Sequence, residues 1–181
     1  MSTLTRLATI VLLAGTAWGG EWTDPVEVRH DDKLCVSYRA RWNGDVVAVQ
    51  VTIEPGWHTF VMDNKQRQQE KLAGKPSLGI EKSTEIKVTD GLEVAGPWFQ
   101  TAPTDFSKPE IRWYTWGFEQ KAMFGAKARR SGSGPAHVSI KGQACTSDIC
   151  KNIDVSIALP LPDAKAPATS DIDLAALTQV R

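Results

Sequence analysis

The feature of the sequence that most constrains the fold is an alternation of apolar and polar residues with a period of two. In residues 46–53, for example, Val47, Val49, Val51 and Ile53 occupy every second position. Successive side chains of a β-strand point to opposite faces, so this period predicts strands that bury one face. The 3.6-residue period of a helix is almost absent before the C-terminal tail. An all-β fold is therefore predicted.

Turn residues divide these runs into short strands. Asn43-Gly44 separates residues 34–42 from residues 46–53, and Asn-Gly between two alternating runs is typical of a β-hairpin. Residues 54–56, Glu-Pro-Gly, form the next turn. About seven to nine short strands predict an antiparallel β-sandwich. The further strand candidates are residues 57–62, 85–89, 111–118, 122–128, 136–142 and 153–159.

Two stretches interrupt the strand pattern. Asp63 to Lys75 is polar and is interpreted as a solvated loop, although its charges could lie on a short helix instead. Pro97 to Pro109 carries the aromatic residues Trp98, Phe99 and Phe106. An aromatic loop on a β-scaffold either packs at the edge of the core or serves recognition, and the sequence leaves these two alternatives open.

Composition and charge exclude several classes of protein. The 181 residues include 21 Lys and Arg and 21 Asp and Glu, which gives a formal net charge of zero. This balance provides no electrostatic basis for binding nucleic acid or an anionic membrane. With 41% hydrophobic and 23% charged residues, the composition is typical of one globular domain rather than of a disordered chain or a multi-pass membrane protein.

The N-terminus has the pattern of a secretory signal peptide. Arg6 precedes an apolar run from Leu7 to Ala17, which is too short to span a bilayer and is followed by small residues. We therefore expect a signal peptide at residues 1–19, an exported domain at residues 21–162, and a linker with a short amphipathic tail helix at residues 163–181. An exported protein can keep disulfide bonds, and this affects how its cysteines are interpreted.

Two of the three cysteines, Cys145 and Cys150, are separated by four residues between two strand candidates. If this segment forms a hairpin, the paired Cα atoms come within disulfide distance, and export favours the bond. The bond would be either a structural link or an exchangeable pair that reacts with a partner through a mixed disulfide. Spacing alone leaves both alternatives open. Cys35, between Leu34 and Val36, is interpreted as a buried and inert thiol.

Other kinds of site find less support in the sequence. The three histidines have no zinc-ligand spacing with the cysteines, and the chain has neither a glycine-rich phosphate loop nor a G-x-S-x-G turn. A copper site formed by Cys145, Cys150 and Met62 is a weaker alternative, which their spacing does not require. We therefore expect no metal and no cofactor.

Three segments of the chain resemble a known family. Residues 138–145 with Cys150 resemble the closing motif of the N-terminal domain of the disulfide reductase DsbD, also called the disulfide-bond corrector family. Residues 53–60, Ile-Glu-Pro-Gly-Trp-His-Thr-Phe, resemble its turn-and-strand signature. Residues 116–119, Trp-Gly-Phe-Glu, followed by Ala-Met-Phe at 122–124, resemble its later hairpin. The resemblance covers about residues 35–162.

The resemblance implies an immunoglobulin-like antiparallel β-sandwich in the periplasm that relays electrons. In the family, a thioredoxin-like donor reduces the cysteine pair, which then reduces oxidised periplasmic acceptors, including proteins of cytochrome c maturation. Carried over by position, Cys150 forms the mixed disulfide and Cys145 resolves it. The chain would thus be a component of a protein-disulfide reductase that needs no metal or cofactor. Because the chain ends at Arg181 without a thioredoxin-like domain, we expect a separate protein to supply the electrons.

The resemblance also implies a cap over the cysteine pair. The family's aromatic cap loop corresponds to residues 104–107, which makes Phe106 and Asp105 the cap residues. His58 and Phe60 match positions whose side chains line the family's active site, and their spacing of two places them on one face of a strand.

Two positions depart from the family's pattern. Lys151-Asn152 follows the second cysteine, where the family often has two prolines, and this changes the rigidity of that segment. His58 stands where an aromatic hydroxyl is common, which changes the local hydrogen bonding and the response to pH.

A binding module is the alternative function. In this hypothesis the chain is a secreted β-sandwich whose disulfide is structural, and it recognises another protein through Trp98, Phe99 and Phe106. The two hypotheses differ in a way that can be tested. Exchange requires Cys150, whereas binding requires Phe106 and neither cysteine.

Overall fold

The computed structural model describes residues 20–75, 81–161 and 172–181. These residues form an immunoglobulin-like β-sandwich of two antiparallel sheets with one short α-helix, which confirms the predicted fold class. The predicted signal peptide and most of the predicted linker lie outside the described residues. Within the described ranges, no helix is long and apolar enough to cross a membrane.

Short strands account for most of the described chain, as the alternating pattern predicts. In chain order the elements are β1 (Val26–His30), β2 (Lys33–Trp42), β3 (Val46–Ile53), β4 (His58–Phe60), helix α1 (Asn64–Leu72), β5 (Glu85–Asp90), β6 (Leu92–Gln100), β7 (Thr104–Asp105), a 3-10 turn (Pro109–Ile111), β8 (Trp116–Phe118), β9 (Lys121–Arg130), β10 (Ala136–Cys145), β11 (Cys150–Leu159), a second 3-10 turn (Leu174–Ala176) and β12 (Thr178–Gln179). The first sheet has the order β1-β2-β3-β9-β6-β12. The second has the order β11-β10-β4-β8-β7, and β5 also pairs with β10.

The hydrophobic core lies between the sheets and follows the alternating pattern of the sequence. In β3, the side chains of Val47, Val49 and Val51 are at most 1% exposed. Phe124 of β9 in the first sheet meets Phe118 of β8 in the second, with ring centroids 5.6 Å apart in an edge-to-face arrangement. Such pairs stabilise a fold beyond the burial of their area. The contact fixes β8, which borders the candidate site, to the centre of the core.

Strand β6 extends into the stretch that the sequence indicates as an aromatic loop. Its register against β9 shifts between Val94 and Trp98, and the irregularity accommodates Gly96-Pro97. Proline cannot donate a hydrogen bond to a neighbouring strand, so it is tolerated at such a bulge. The glycine and proline therefore mark an irregular point within a strand rather than its end.

The polar stretch after β4 contains helix α1, which was the alternative to a solvated loop. The helix buries Asn64, Gln68 and Leu72, which are spaced by four residues and share one face. Because only one of the three is apolar, the face gives no hydrophobic period that the sequence could reveal. The helix ends at Ala73, which adopts the left-handed conformation with φ 47°.

The described part of the tail contains a three-residue 3-10 turn followed by strand β12. Asp173 caps the turn by accepting a hydrogen bond from the N–H of Ala175 at 2.9 Å. The tail lies against β9, since a Cβ atom added to Gly125 would be 2.7 Å from Leu174 Cδ2 and 3.7 Å from Leu177 Cδ1. Residues 162–171, which include the predicted start of the tail helix, lie outside the described residues.

Replacing Phe124 by alanine is expected to lower the free energy of unfolding by about 3–5 kcal/mol, because it leaves a cavity between the sheets. Lys121→Ala, at an exposed position of the same strand, is the control and should change stability by less than about 0.5 kcal/mol. Urea unfolding followed by tryptophan fluorescence measures both. Similar losses for the two variants would contradict the assignment of Phe124 to the core.

Candidate functional site

The two cysteines form a disulfide at the tip of the β10–β11 hairpin. Cys145 is the last residue of β10 and pairs directly with Cys150, the first residue of β11. Their Cα atoms are 4.0 Å apart and the sulfur atoms are bonded. In the connecting turn, the N–H of Thr146 donates to Ile149 O at 2.8 Å, and Thr146 Oγ1 accepts from the N–H groups of Asp148 and Ile149. The turn is thus closed by its own hydrogen bonds.

The two halves of the disulfide differ in exposure. Cys145 is only 3% exposed, whereas Cys150 lies in the exposed class of residues. Ile149, which precedes Cys150, is 42% exposed and is one of the two large hydrophobic side chains exposed in the described part of the chain. A thiol group that approaches from solution therefore reaches Cys150 before Cys145.

His58 completes a row of side chains across three strands. Cys145 pairs with Cys150 on one side and with His58 of β4 on the other. Directly paired residues of antiparallel strands carry their side chains on the same face, so the three side chains share one face of the second sheet. The neighbouring residue Ala144 belongs to the hydrophobic core on the opposite face. The disulfide therefore lies on the outer face of the sandwich.

Phe106 lies on this outer face, next to the row. Its ring centroid is 5.2 Å from that of His58, and the ring centroid of Phe60 is 5.3 Å from that of His58. Gly117 of β8 leaves room for the contact, because a Cβ atom there would lie 3.0 Å from Phe106 Cε2 and 2.1 Å from Thr59 O. The structure thus brings together three of the four side chains that the family resemblance assigns to the surroundings of the cysteine pair, namely His58, Phe60 and Phe106. The fourth, Asp105, is not among them.

Asp105 is exposed, and its side chain forms a hydrogen bond within the cap loop, residues 104–107. Its Oδ1 accepts a hydrogen bond from the N–H of Ser107 at 2.9 Å. Burial acts to raise the pKa of Asp105, but hydrogen bonds from the hydroxyl and N–H of Ser107 and from Trp116, together with the charge of Lys71, lower the pKa overall. Asp105 therefore stays ionised and shapes the loop from within.

The environment of His58 favours the neutral imidazole. Burial lowers the pKa of His58, and the charge of Glu119 opposes this only in part. At neutral pH the ring is uncharged, so one of its nitrogen atoms can accept a proton.

The structure separates the aromatic residues on which the binding-module hypothesis depends. Trp98 packs against the core, and Phe99 pairs with Gln179 of β12. Both belong to β6 in the first sheet, whereas Phe106 follows β7 in the second. Phe106 therefore belongs to a different sheet from the other two side chains.

Two other residues considered in the sequence lie elsewhere. Cys35 is a free thiol that is 0% exposed in β2, and burial raises its pKa above the ordinary value for a thiol. Met62, the third ligand of the copper alternative, packs against the hydrophobic core.

Two buried polar residues near the site carry no signal in the sequence. Asn64 is 1% exposed and Thr115 is 0% exposed, and they form hydrogen bonds with each other although they are far apart in the chain. The polar character of the stretch around Asn64 indicates solvation. Only the folded chain shows that this side chain faces inward.

Comparison with solved structures shows a shared fold. The N-terminal periplasmic domain of ScsB from Proteus mirabilis matches with a TM-score of 0.51 and 22% identity, over 80% of this chain and 53% of that chain, so this chain spans about half the length of that structure. The DsbD N-terminal domain from Neisseria meningitidis in the reduced form matches with a TM-score of 0.38 and 13% identity, over 63% of this chain and 78% of that chain. The GAE domain of GGA2p from Saccharomyces cerevisiae matches with a TM-score of 0.35 and 8% identity, over 75% of this chain and 97% of that chain. No protein-family model and no curated protein sequence matches the chain.

His58 should make stability depend on pH. The pKa of His58 is lowered in the folded protein, so the unfolded chain binds a proton more readily and acid favours unfolding. Relative to His58→Phe, the wild type should lose stability as the pH falls from about 7 to about 5. Chemical denaturation of both proteins at each pH measures this difference. A difference that stays constant over the range would contradict the buried, neutral state of His58.

Proposed function

We propose that this protein is a thiol:disulfide exchange domain whose redox-active pair is Cys145 and Cys150. The observation that carries the proposal is the asymmetry of the pair: Cys150 is exposed at a hairpin tip, while Cys145 is buried beside His58. A purely structural link across a turn this short has little loop entropy to remove, about 2 kcal/mol in the chain-entropy model. An accessible sulfur next to a protected one is what a stepwise exchange requires.

The exchange proceeds in two steps in which electrons and protons balance. The thiolate of Cys150 attacks one sulfur of a partner's disulfide, forms a mixed disulfide with it and expels the partner's other sulfur as a thiolate. Cys145 then loses its proton and attacks Sγ of Cys150. The Cys145–Cys150 bond forms as the bond between Cys150 and the partner breaks, and the partner's sulfur leaves as a thiolate. The partner has then gained two electrons, and its two thiolates take up two protons in place of those that the two cysteines lost. A donor dithiol restores the pair by the reverse sequence.

His58 is placed to take part in the second step. It lies opposite Cys145 on the same face, and its burial keeps the imidazole neutral at physiological pH. A neutral imidazole can accept the proton that Cys145 must lose. We propose this role for His58, whose ring contacts both Phe60 and Phe106.

The partners that fit this chemistry are proteins with thiols or disulfides of their own. We propose a thioredoxin-like electron donor and oxidised periplasmic acceptors, following the resemblance of residues 35–162 to the DsbD N-terminal domain. The periplasmic location is proposed on the apolar N-terminal segment of the sequence and on the periplasmic origin of the ScsB domain that shares the fold.

The proposal predicts different behaviour for the two cysteines. In a Cys35→Ser background, reduced Cys145→Ala should form a stable mixed disulfide with oxidised glutathione at Cys150, because no second thiol can resolve it. Cys150→Ala should react much more slowly, since the remaining Cys145 thiol is buried. Intact-mass measurement after acid quenching reports both. Equal reaction of the two variants would contradict the assigned roles.

The reduction potential decides between exchange and a structural bond. Glutathione titration of the Cys35→Ser protein should give a potential of about −120 to −270 mV, as for other exchangeable pairs. A potential below about −300 mV would identify a structural disulfide and would refute the proposal.

Phe106 is proposed to shield the buried Cys145 side of the disulfide from unwanted thiols. Phe106→Ala should speed the reduction of the disulfide by glutathione, because the ring that covers His58 beside Cys145 is gone. Phe99→Ala is the matched control, since it removes a half-buried phenylalanine from the first sheet. Stopped samples alkylated over time give the rate. An equal change in both variants would show a general loss of stability instead of shielding.

A further inference from the structure

Asn64, the first residue of helix α1, forms hydrogen bonds with the start of β8, the segment to which the cap loop is also hydrogen-bonded. Asn64 is 1% exposed and uses both ends of its amide. Its Nδ2 donates to Thr115 Oγ1 at 3.1 Å, and its Oδ1 accepts from the N–H of Trp116 at 2.9 Å. A buried amide satisfied in this way fixes the position of the backbone that it contacts. Asn64 thus fixes the start of β8.

The cap loop is attached to the same segment of backbone. The N–H of Phe106 donates to Thr115 O at 3.0 Å, and the N–H of Thr115 donates to Ser107 Oγ at 3.1 Å. Thr115 is therefore bound on one side by the helix, through its hydroxyl, and on the other side by the cap loop, through its backbone. The position of Phe106 relative to His58 depends on where Thr115 lies.

Helix α1 is itself held in place at a buried carboxylate. Asp63, whose side chain is fully buried, forms an ion pair with Arg67, with Nε 2.9 Å from Oδ1, and accepts hydrogen bonds from Gln100 Nε2 at 2.8 Å and from the N–H of Arg181 at 3.3 Å. Arg181 also forms an ion pair with Glu70 of the helix. Strand β6, the segment after β12 and the helix thus meet at Asp63, directly before Asn64 in the chain.

We propose that Asn64 is a positioning residue for disulfide exchange, which keeps Phe106 packed on His58, beside Cys145, by holding Thr115. The inference rests on the proposed function and extends it to a residue that does not touch the cysteines. Loss of the Asn64–Thr115 contact frees the segment that carries the cap loop without changing either cysteine. Phe106 then leaves His58 more often, and thiols reach the buried Cys145 side of the disulfide more frequently.

A change in opening has a specific kinetic signature. Asn64 forms its hydrogen bonds with Thr115 and Trp116 and not with either cysteine. Loss of these bonds therefore changes how easily thiols reach the disulfide, and it leaves the equilibrium between the disulfide and the dithiol unchanged. Reduction by glutathione and reoxidation by oxidised glutathione should both become faster. The rates should rise by about tenfold for each 1.4 kcal/mol by which the free energy that favours the closed cap loop is reduced. The equilibrium with the glutathione couple should stay where it is in the wild type.

The experiment compares four variants in a Cys35→Ser background. Asn64→Ala removes the amide, and Thr115→Val removes only the hydroxyl that bonds to it, in case the first variant fails to fold. Thr115→Ser keeps a hydroxyl and should restore the rates of the wild type. Asn43→Ala is the matched control, because Asn43 is also a buried asparagine that accepts a backbone N–H, that of Val46, but in a turn at the opposite end of β3 from β4.

The outcomes distinguish this inference from the proposed function. Faster exchange in Asn64→Ala and Thr115→Val, with an unchanged equilibrium, rescue by Thr115→Ser and no effect of Asn43→Ala, would support the inference. Wild-type rates in both disrupted variants, or an equal rise in Asn43→Ala, would overturn it and leave the proposed function intact. A disulfide that glutathione does not exchange even in the wild type would refute the proposed function itself.

Discussion

The register of the β10–β11 hairpin is the constraint on which the candidate site depends. Ten consecutive residue pairs join the two strands, from Ala136 with Leu159 to Cys145 with Cys150, and no bulge interrupts them. A slip by one residue would turn every side chain of one strand to the other face and would place the two sulfur atoms apart. The buried residues of the hairpin, among them Val138 and Ile140 of β10 and Ile153 and Ile157 of β11, oppose such a slip because they would lose their place in the core.

The same register determines what surrounds the disulfide. Because β4 pairs with β10 at its last residues, His58 lies beside Cys145 and Thr59 faces the core. The next strand, β8, contributes Gly117, and the space above that glycine is where Phe106 lies. The site therefore combines a rigid row of side chains on paired strands with one aromatic ring on a loop. Backbone and buried amide hydrogen bonds, and not apolar packing alone, define the position of that ring.

The sequence predicts the parts of this structure that follow from a repeated pattern. The period of two identifies β2, β3 and β9, and the cysteine spacing indicates a hairpin with its disulfide, because both signals are local. It does not predict the inward orientation of Asn64, since one asparagine in a polar stretch has no period to reveal it. It also does not predict how β6 continues through Gly96-Pro97, because the pairing with β9 overrides the local preference for a turn. The positions of Phe106 and His58 relative to Cys145 came from the family resemblance and not from any pattern in the sequence itself.

Strand β12 has a further consequence for the behaviour of the protein in solution. A sheet edge with free backbone groups invites pairing with a second molecule, which leads to aggregation. β12 pairs with Phe99 and Gln100 at the end of β6, its own length of two residues offers little to a new strand, and the register shift between Val94 and Trp98 interrupts the rest of β6. At the opposite edge of the sheet, β1 carries a register shift at Val28/Arg29 together with the charged side chains of Glu27 and Arg29. Both edges of the first sheet are thus poor templates for intermolecular strand pairing, which favours a domain that stays dispersed at high concentration.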